Sequence, residues 1–195
     1  MLTEGAADDP QTARRFALRI RESADKLQQL TQDLLSLARL EARGIEAPKA
    51  VDLATIGREA VEAHQSTAAA RGVRLDLSRP EGAALVRGDA VWLRRALENL
   101  IGNAVQHSPA GSRVLVQIAA EAQGVTATVR DEGAGVDPAI RERLFERFAT
   151  TRHGEGGTGL GLAIVRAVAE LHGGRAQLRE SSSAGSVFTL TLPKA

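Results

Sequence analysis

GEGGTGLGLAIV, residues 154–165, is the stretch whose reading decides the fold. Five of its first eight residues are glycine, and Leu162-Ala163-Ile164-Val165 then opens an apolar run that reaches His172, where Gly173-Gly174 stops it. A glycine-rich loop feeding a helix presents free backbone N–H groups and the positive end of the helix dipole, an arrangement that suits phosphate. It is not a Walker A loop, because no Gly-Lys-Ser/Thr closes it. Taken alone it serves equally well as a flexible surface loop.

Two stretches upstream change that balance. DEGAGVD, residues 131–137, follows the alternating segment Val125–Val129. Glycines there let backbone approach a planar ligand, and Asp131 can accept from an exocyclic amine such as adenine's. Asp and Gly also make ordinary turns, which is the competing reading. LENLIGNAVQHSP, residues 97–109, places Asn99 and Asn103 four apart, so both amides project from one helix face. Two amide oxygens can hold a hydrated Mg²⁺, although such pairs on helices are commonly just solvated.

Around these motifs the pattern predicts a mixed α/β domain. Asp52 caps a helix running to about Arg71, and Arg74–Leu77 and Leu85–Arg87 read as short strands. Asp89 caps the next helix, whose apolar face is Leu93, Leu97, Leu100, Ile101 and Ala104. Strands follow at Val114–Ala120 and Val125–Val129, with Gly124 at the turn, and Asp137-Pro138 starts a short helix. Two strands close the chain, the last at Val187–Leu192.

Before Gly44 the texture differs. From Gln11 to Arg43 there is neither proline nor glycine, and Phe16, Ile20, Leu27, Leu30, Leu34 and Leu37 recur three or four apart with one wider gap, filled by Ser23 or Ala24. That is the stripe of a long amphipathic helix. It is narrow enough for a helical bundle with a partner helix, and packing on its own domain is the alternative. Pro48 marks a short linker, so the expected division is 1–47 and 48–195.

Of the 195 residues 43% are hydrophobic and 25% charged, and 25 basic residues nearly cancel 24 acidic ones. No block of like charge predicts a nucleic-acid or membrane footprint. The absence of cysteine excludes disulfides and thiolate metal sites and fits a reducing cytosol. No apolar run approaches the roughly 20 residues that span a bilayer. The expectation is a soluble, cytoplasmic chain without membrane contact of its own.

Together, and in this order, the motifs resemble the catalytic domain of sensor histidine kinases, within the wider GHKL group shared with gyrase and Hsp90. Residues 97–109 look like that family's asparagine box and 131–137 like its first glycine box. RLFERF (143–148) looks like its phenylalanine box, GGTGLGLAIV (156–165) like its second glycine box, and FTLTLP (188–193) like its closing strand. LTQDLLSLARLE (30–41) resembles the second helix of the dimerisation domain. The resemblance implies an α+β fold, a two-layer α/β sandwich of the Bergerat type preceded by a long amphipathic helix. ATP and Mg²⁺ would be the cofactors. A response-regulator receiver domain would be a partner, and the parent protein, an inner-membrane sensor with this part in the cytoplasm, would be a homodimer through the helical bundle.

The same resemblance implies roles. Asn103 would ligate Mg²⁺, and Asn99 would orient water or metal near the phosphates. Asp131 would read adenine with clearance from Gly133 and Gly135, and His107 would lie near the base, as a packed ring or in proton transfer. Gly157, Thr158, Gly159, Leu160 and Gly161 would form the phosphate side of a lid over 149–158, with Leu160 and Leu162 chiefly packing and Phe145 and Phe148 at the lid base. Trp92 shares the asparagine face but would lie too far away to touch nucleotide. Two departures stand out. Ala149 and Thr150 replace the family's frequent Tyr-Arg, which leaves Arg152 as the candidate for the γ-phosphate. Glu132 stands where asparagine is frequent.

In the family the phosphoryl acceptor is a histidine in a His-Glu/Asp-x-x-x-Pro motif. His64, His107, His153 and His172 all lack that context. Met1–Pro10 reads as the tail of the first helix, so the chain is expected to begin after the acceptor and to be unable to phosphorylate itself. Three other functions compete. An anti-sigma-type serine kinase would lack the long helix. A gyrase-type ATPase would carry a glutamate base where this chain has Asn99. A binding module without turnover would not need every motif.

Overall fold

The computed structural model describes residues 10–45, 48–79, 82–122, 124–149 and 158–195. Helix α1 (Pro10–Arg43) is followed by β1 (Lys49–Asp52), α2 (Leu53–Ala70), β2 (Arg74–Ser78), β3 (Leu85–Gly88) and α3 (Ala90–His107). Then come β4 (Arg113–Glu121), β5 (Gly124–Arg130), a 3-10 turn at Pro138–Arg143, α4 (Gly161–Leu171), β6 (Arg175–Ser182) and β7 (Gly185–Leu192). Five strands form one sheet in the order β2-β4-β5-β7-β6, parallel between β2 and β4 and antiparallel elsewhere. Helices α2, α3 and α4 cover it, giving the two-layer α/β arrangement.

Alternation builds the interface between the layers. Val114, Val116 and Ile118 of β4 and Val125, Ala127 and Val129 of β5 are buried at every second position. Leu97, Leu100 and Ile101 of α3 and Ile164, Val165 and Val168 of α4 are buried in the same core. Burying each such aliphatic side chain contributes about 2 kcal/mol.

The caps sit where the sequence puts them. Asp52 Oδ1 accepts from Ala54 N at 3.2 Å at the start of α2, and Asp89 Oδ1 accepts from Val91 N at 2.8 Å at the start of α3. Gly44 ends α1 with φ +61° and donates its N–H to Leu40 O.

Two expectations change. The segment after Pro48 is a strand and not merely a linker: Lys49–Asp52 pairs antiparallel with β3, from Lys49 opposite Gly88 to Asp52 opposite Leu85. Four residues are too few to show alternation, and the pairing is a tertiary event. The stripe of α1 divides. Leu37 and Leu40 are buried against the chain's own domain and Leu30 packs beside them, whereas Phe16, Ile20, Leu27 and Leu34 stay exposed. Met1–Asp9 lies outside the described residues.

Candidate functional site

Helix α3 carries the site and is fixed at both ends. Asp89 caps its start, and Arg71 clamps its end, donating from Nε to Val105 O at 3.2 Å and from Nη2 to Gln106 O at 2.8 Å. Its apolar face is held in the core, and Arg95, Asn99, Asn103 and His107, four residues apart in turn, form a row that flanks it. They form one wall of a cavity of about 780 Å³, a volume that suits a nucleotide-sized ligand. Asp131 and Gly135 line a second wall, and Thr158, Gly159 and Gly161, where α4 begins, line a third.

Asp131 is 5% exposed. Its Oδ1 accepts from Gly133 N at 2.9 Å and from Ser186 N at 3.1 Å; Oδ2 takes neither bond. Burial pushes this carboxyl above the ordinary carboxylate range, against the two N–H groups and nearby His107, which pull the other way. An acceptor is thus held rigidly at the cavity wall. At the α3 wall the unmet groups are donors: Asn99 Nδ2 is buried without a partner, and so is Arg95 Nε. Helix α4 starts without a side-chain cap, and Gly161 lies so close to Asn99 that a β-carbon there would sit 3.4 Å from Asn99 Oδ1.

The other expected residues divide between cavity wall and packing. Gly133 does not line the cavity: a β-carbon on it would come within 2.6 Å of His107 O. At Gly135, with φ +78°, the obstruction would be Ser182 O at 2.2 Å. Both glycines therefore clear the protein's own backbone beside Asp131, and Gly135 lines the cavity as well. Leu160 is fully buried and its N–H goes to Thr158 Oγ1 at 3.2 Å, so its side chain packs and does not touch the cavity. Leu162 does line it, and Trp92 does not.

Phe145 packs edge-on against Phe188, with ring centroids 6.5 Å apart. Phe148 is different: its side chain is exposed, and its backbone, at φ 61°, donates to Gly159 O at 2.9 Å. Gly157 and Arg152 lie outside the described residues, as does most of the expected lid. Glu132, the departure from the family pattern, accepts from Arg113 N at 2.9 Å and secures the start of β4.

Charged lining residues that sequence reasoning missed include Arg95 and Asp33. Arg95 was findable, since it lies one helical turn before Asn99. Asp33 was not, because only the docking of α1 brings it here.

The family model for the histidine kinase-, DNA gyrase B-, and HSP90-like ATPase matches residues 88–195. The sensor-like histidine kinase SenX3 of Mycobacterium tuberculosis is 36% identical over 193 residues, covering 96% of this chain and 47% of that protein. The phosphate regulon sensor protein PhoR of Pseudomonas aeruginosa is 38% identical over 179 residues, covering 87% of this chain and 39% of that protein. The chain thus spans about half the length of the SenX3 relative. Among solved structures, full-length ShkA in complex with AMPPNP superposes with a TM-score of 0.76 at 33% identity, over 93% of this chain and 39% of that one. With its fold, its glycine-flanked Asp131 and its paired asparagines, the chain belongs to the histidine kinase, gyrase and HSP90-like ATPase family, on the sensor histidine kinase branch.

Proposed function

We propose that this chain binds Mg·ATP and supplies the catalytic half of a two-component kinase. The γ-phosphoryl group would go to a histidine outside these 195 residues, for relay to a receiver-domain aspartate. The observation that carries the reading is polarity matched to a nucleotide across one cavity. A buried acceptor, Asp131, stands on one wall, and the unpartnered donors of Asn99 and Arg95 stand on another. Adenine's amine would donate to Asp131, while the phosphates would meet α3 and the start of α4.

The donor set also fits magnesium. No cluster of three or more His, Cys, Asp or Glu side chains that could hold a metal occurs among the described residues. Mg²⁺ commonly keeps waters and phosphate oxygens and needs few protein ligands, so the amide oxygen of Asn103, with Asn99 beside it, is the expected contribution. The ion would neutralise phosphate charge. The protein's own part is positioning and electrostatics: Asp131 fixes the base, Asn99 and the α4 N–H groups orient the phosphates, and Arg152 is the candidate for charge developing on the transferred group. Asn99 cannot act as a general base, so steady ATP hydrolysis should be poor.

Autophosphorylation is not expected. His172 is buried with both ring nitrogens engaged, and His64 Nδ1 is bonded to Ala60 O at 3.0 Å. Calorimetric titration with ATP and ADP, with and without Mg²⁺, tests the reading. Binding is expected for the natural chain and not for Asp131→Asn; absence of binding to either nucleotide would refute it. Stable label from γ-phosphate on any of the four histidines would refute the missing-acceptor part alone.

A further inference from the structure

Asp33 lies on α1, 62 residues before Arg95 and 125 before Thr158, yet all three meet at the cavity wall. Its side chain is 3% exposed. Carboxylates are rarely buried so deeply unless paired, and this one is fully engaged. Oδ1 accepts from Arg95 Nη2 at 2.7 Å and Gln29 Nε2 at 2.9 Å, and Oδ2 accepts from Thr158 Oγ1 at 2.8 Å. Among the described residues that line the cavity, Arg95 is the one arginine or lysine.

We propose that Arg95 and Thr158 form a phosphate subsite of the nucleotide cavity, and that Asp33 fills it as an internal anion, so that seating of α1 weakens polyphosphate binding. An arginine and a hydroxyl offer the donors that phosphate oxygens take, and a carboxylate is the nearest side-chain mimic of such an anion. The carboxylate leaves the seat incompletely used. Arg95 Nε stays buried without a partner, and so does Asn99 Nδ2 one turn further along α3. A group with more oxygens than a carboxylate can satisfy them. Asp33 and a polyphosphate would compete for one cation, and two anions in so small a space repel. The displacement needed is that of the Asp33 side chain and its turn: α1 is anchored beyond it by Leu37, Leu40 and the Glu41–Arg147 ion pair and before it by partly buried Leu30, while Phe16, Ile20 and Leu27 are exposed. Nucleotide occupancy and α1 position thereby become reciprocally linked.

The inference rests on the nucleotide reading, and a ligand series separates the two. Adenosine, ADP and ATP are titrated into the natural chain, Asp33→Asn, Arg95→Gln and the double variant, with thermal unfolding as a check on folding. Asp33→Asn keeps the shape and removes the charge. It should bind ATP roughly tenfold tighter, with adenosine affinity unchanged, and the gain should vanish in the double variant. If ATP binds the natural chain but Asp33→Asn leaves it equal or weaker, Asp33 merely positions Arg95 and the competition is refuted while the nucleotide reading stands. If no ligand binds any of the four, the nucleotide reading itself fails. If Asp33→Asn is unfolded, Arg95→Gln decides: ATP affinity must fall with adenosine affinity unchanged, and equal affinity for ATP overturns the proposal.

Discussion

Burying an ionised carboxylate costs stability unless its bonds repay the lost hydration, and at Asp131 they fall short. Its raised folded pKa means that the native state binds a proton more readily than the unfolded chain does, so its contribution to stability declines as pH rises through that folded value. A residue kept at a cost to the fold is held for something other than the fold. Asp131→Asn should therefore leave the thermal midpoint equal or higher near neutral pH, since the amide oxygen can still accept from Gly133 and Ser186. Nucleotide binding should disappear, because the amide can present a donor to an amine. Calorimetry and thermal unfolding of one preparation check both halves; a variant that loses binding only because it melts early would contradict the argument. The sequence exposed Asp131 through its flanking glycines. The reason for the glycines was hidden, because the obstructing carbonyls of His107 and Ser182 come from other parts of the chain.

Elements were legible where they carry their own punctuation. Asp52, Asp89 and Asp137 announce helix starts by chemistry local to two or three residues, and each side chain makes the expected bond to backbone. Strand β1 has no such mark. Its partner, β3, is more than thirty residues away. Asp52 joins the two situations: besides capping α2 it accepts from Ala84 N at 3.0 Å, beside the start of β3. Burial opposes its ionised form, but bonds from Thr55, Ala84 and Ala54 prevail and hold the carboxyl below its ordinary value. Asp52→Ala should lower stability by about 1–2 kcal/mol in denaturant titration, and a change near zero would show that the cap is dispensable.

Another element junction is invisible in sequence. His172, at the end of α4, donates from Nδ1 to Val168 O at 2.7 Å and accepts at Nε2 from Asp89 N at 3.0 Å. Burial lowers its pKa, outweighing the opposing influence of Val168 O and Asp89. The unfolded chain then takes up the proton first, so stability is lost as pH falls from about 6.5 through the lower folded value. The thermal midpoint of the natural chain should drop from pH 7 to pH 5 by more than that of His172→Gln. Parallel slopes would assign the acid sensitivity elsewhere.

At the scale of the whole molecule, α1 faces two ways. Its last turns belong to the catalytic body: Leu37 is 3% exposed and Leu40 1%. Leu37→Ala should cost about 2–5 kcal/mol, the usual penalty for a buried leucine. Its earlier turns do not: Ile20 is 67% exposed and Leu27 64%, with Phe16 and Leu34 on the same stripe. A helix cannot bury such a stripe alone. Of the two packings that the sequence left as alternatives, own-domain packing holds for the last turns, and the earlier turns keep their stripe exposed; periodicity cannot reveal this division, because the stripe does not change as it crosses the border. The exposed stretch should make the chain associate with a second copy. Sedimentation over a concentration series should show a monomer–dimer equilibrium for the natural chain. The pair Ile20→Glu and Leu27→Glu should shift it to monomer with thermal midpoint and ATP affinity unchanged, because neither residue is packed in the core or lines the cavity. A natural chain that stays monomeric at every concentration would show that the stripe needs a different partner. A double variant that also loses ATP affinity would show that the two stretches of α1 are not energetically separate.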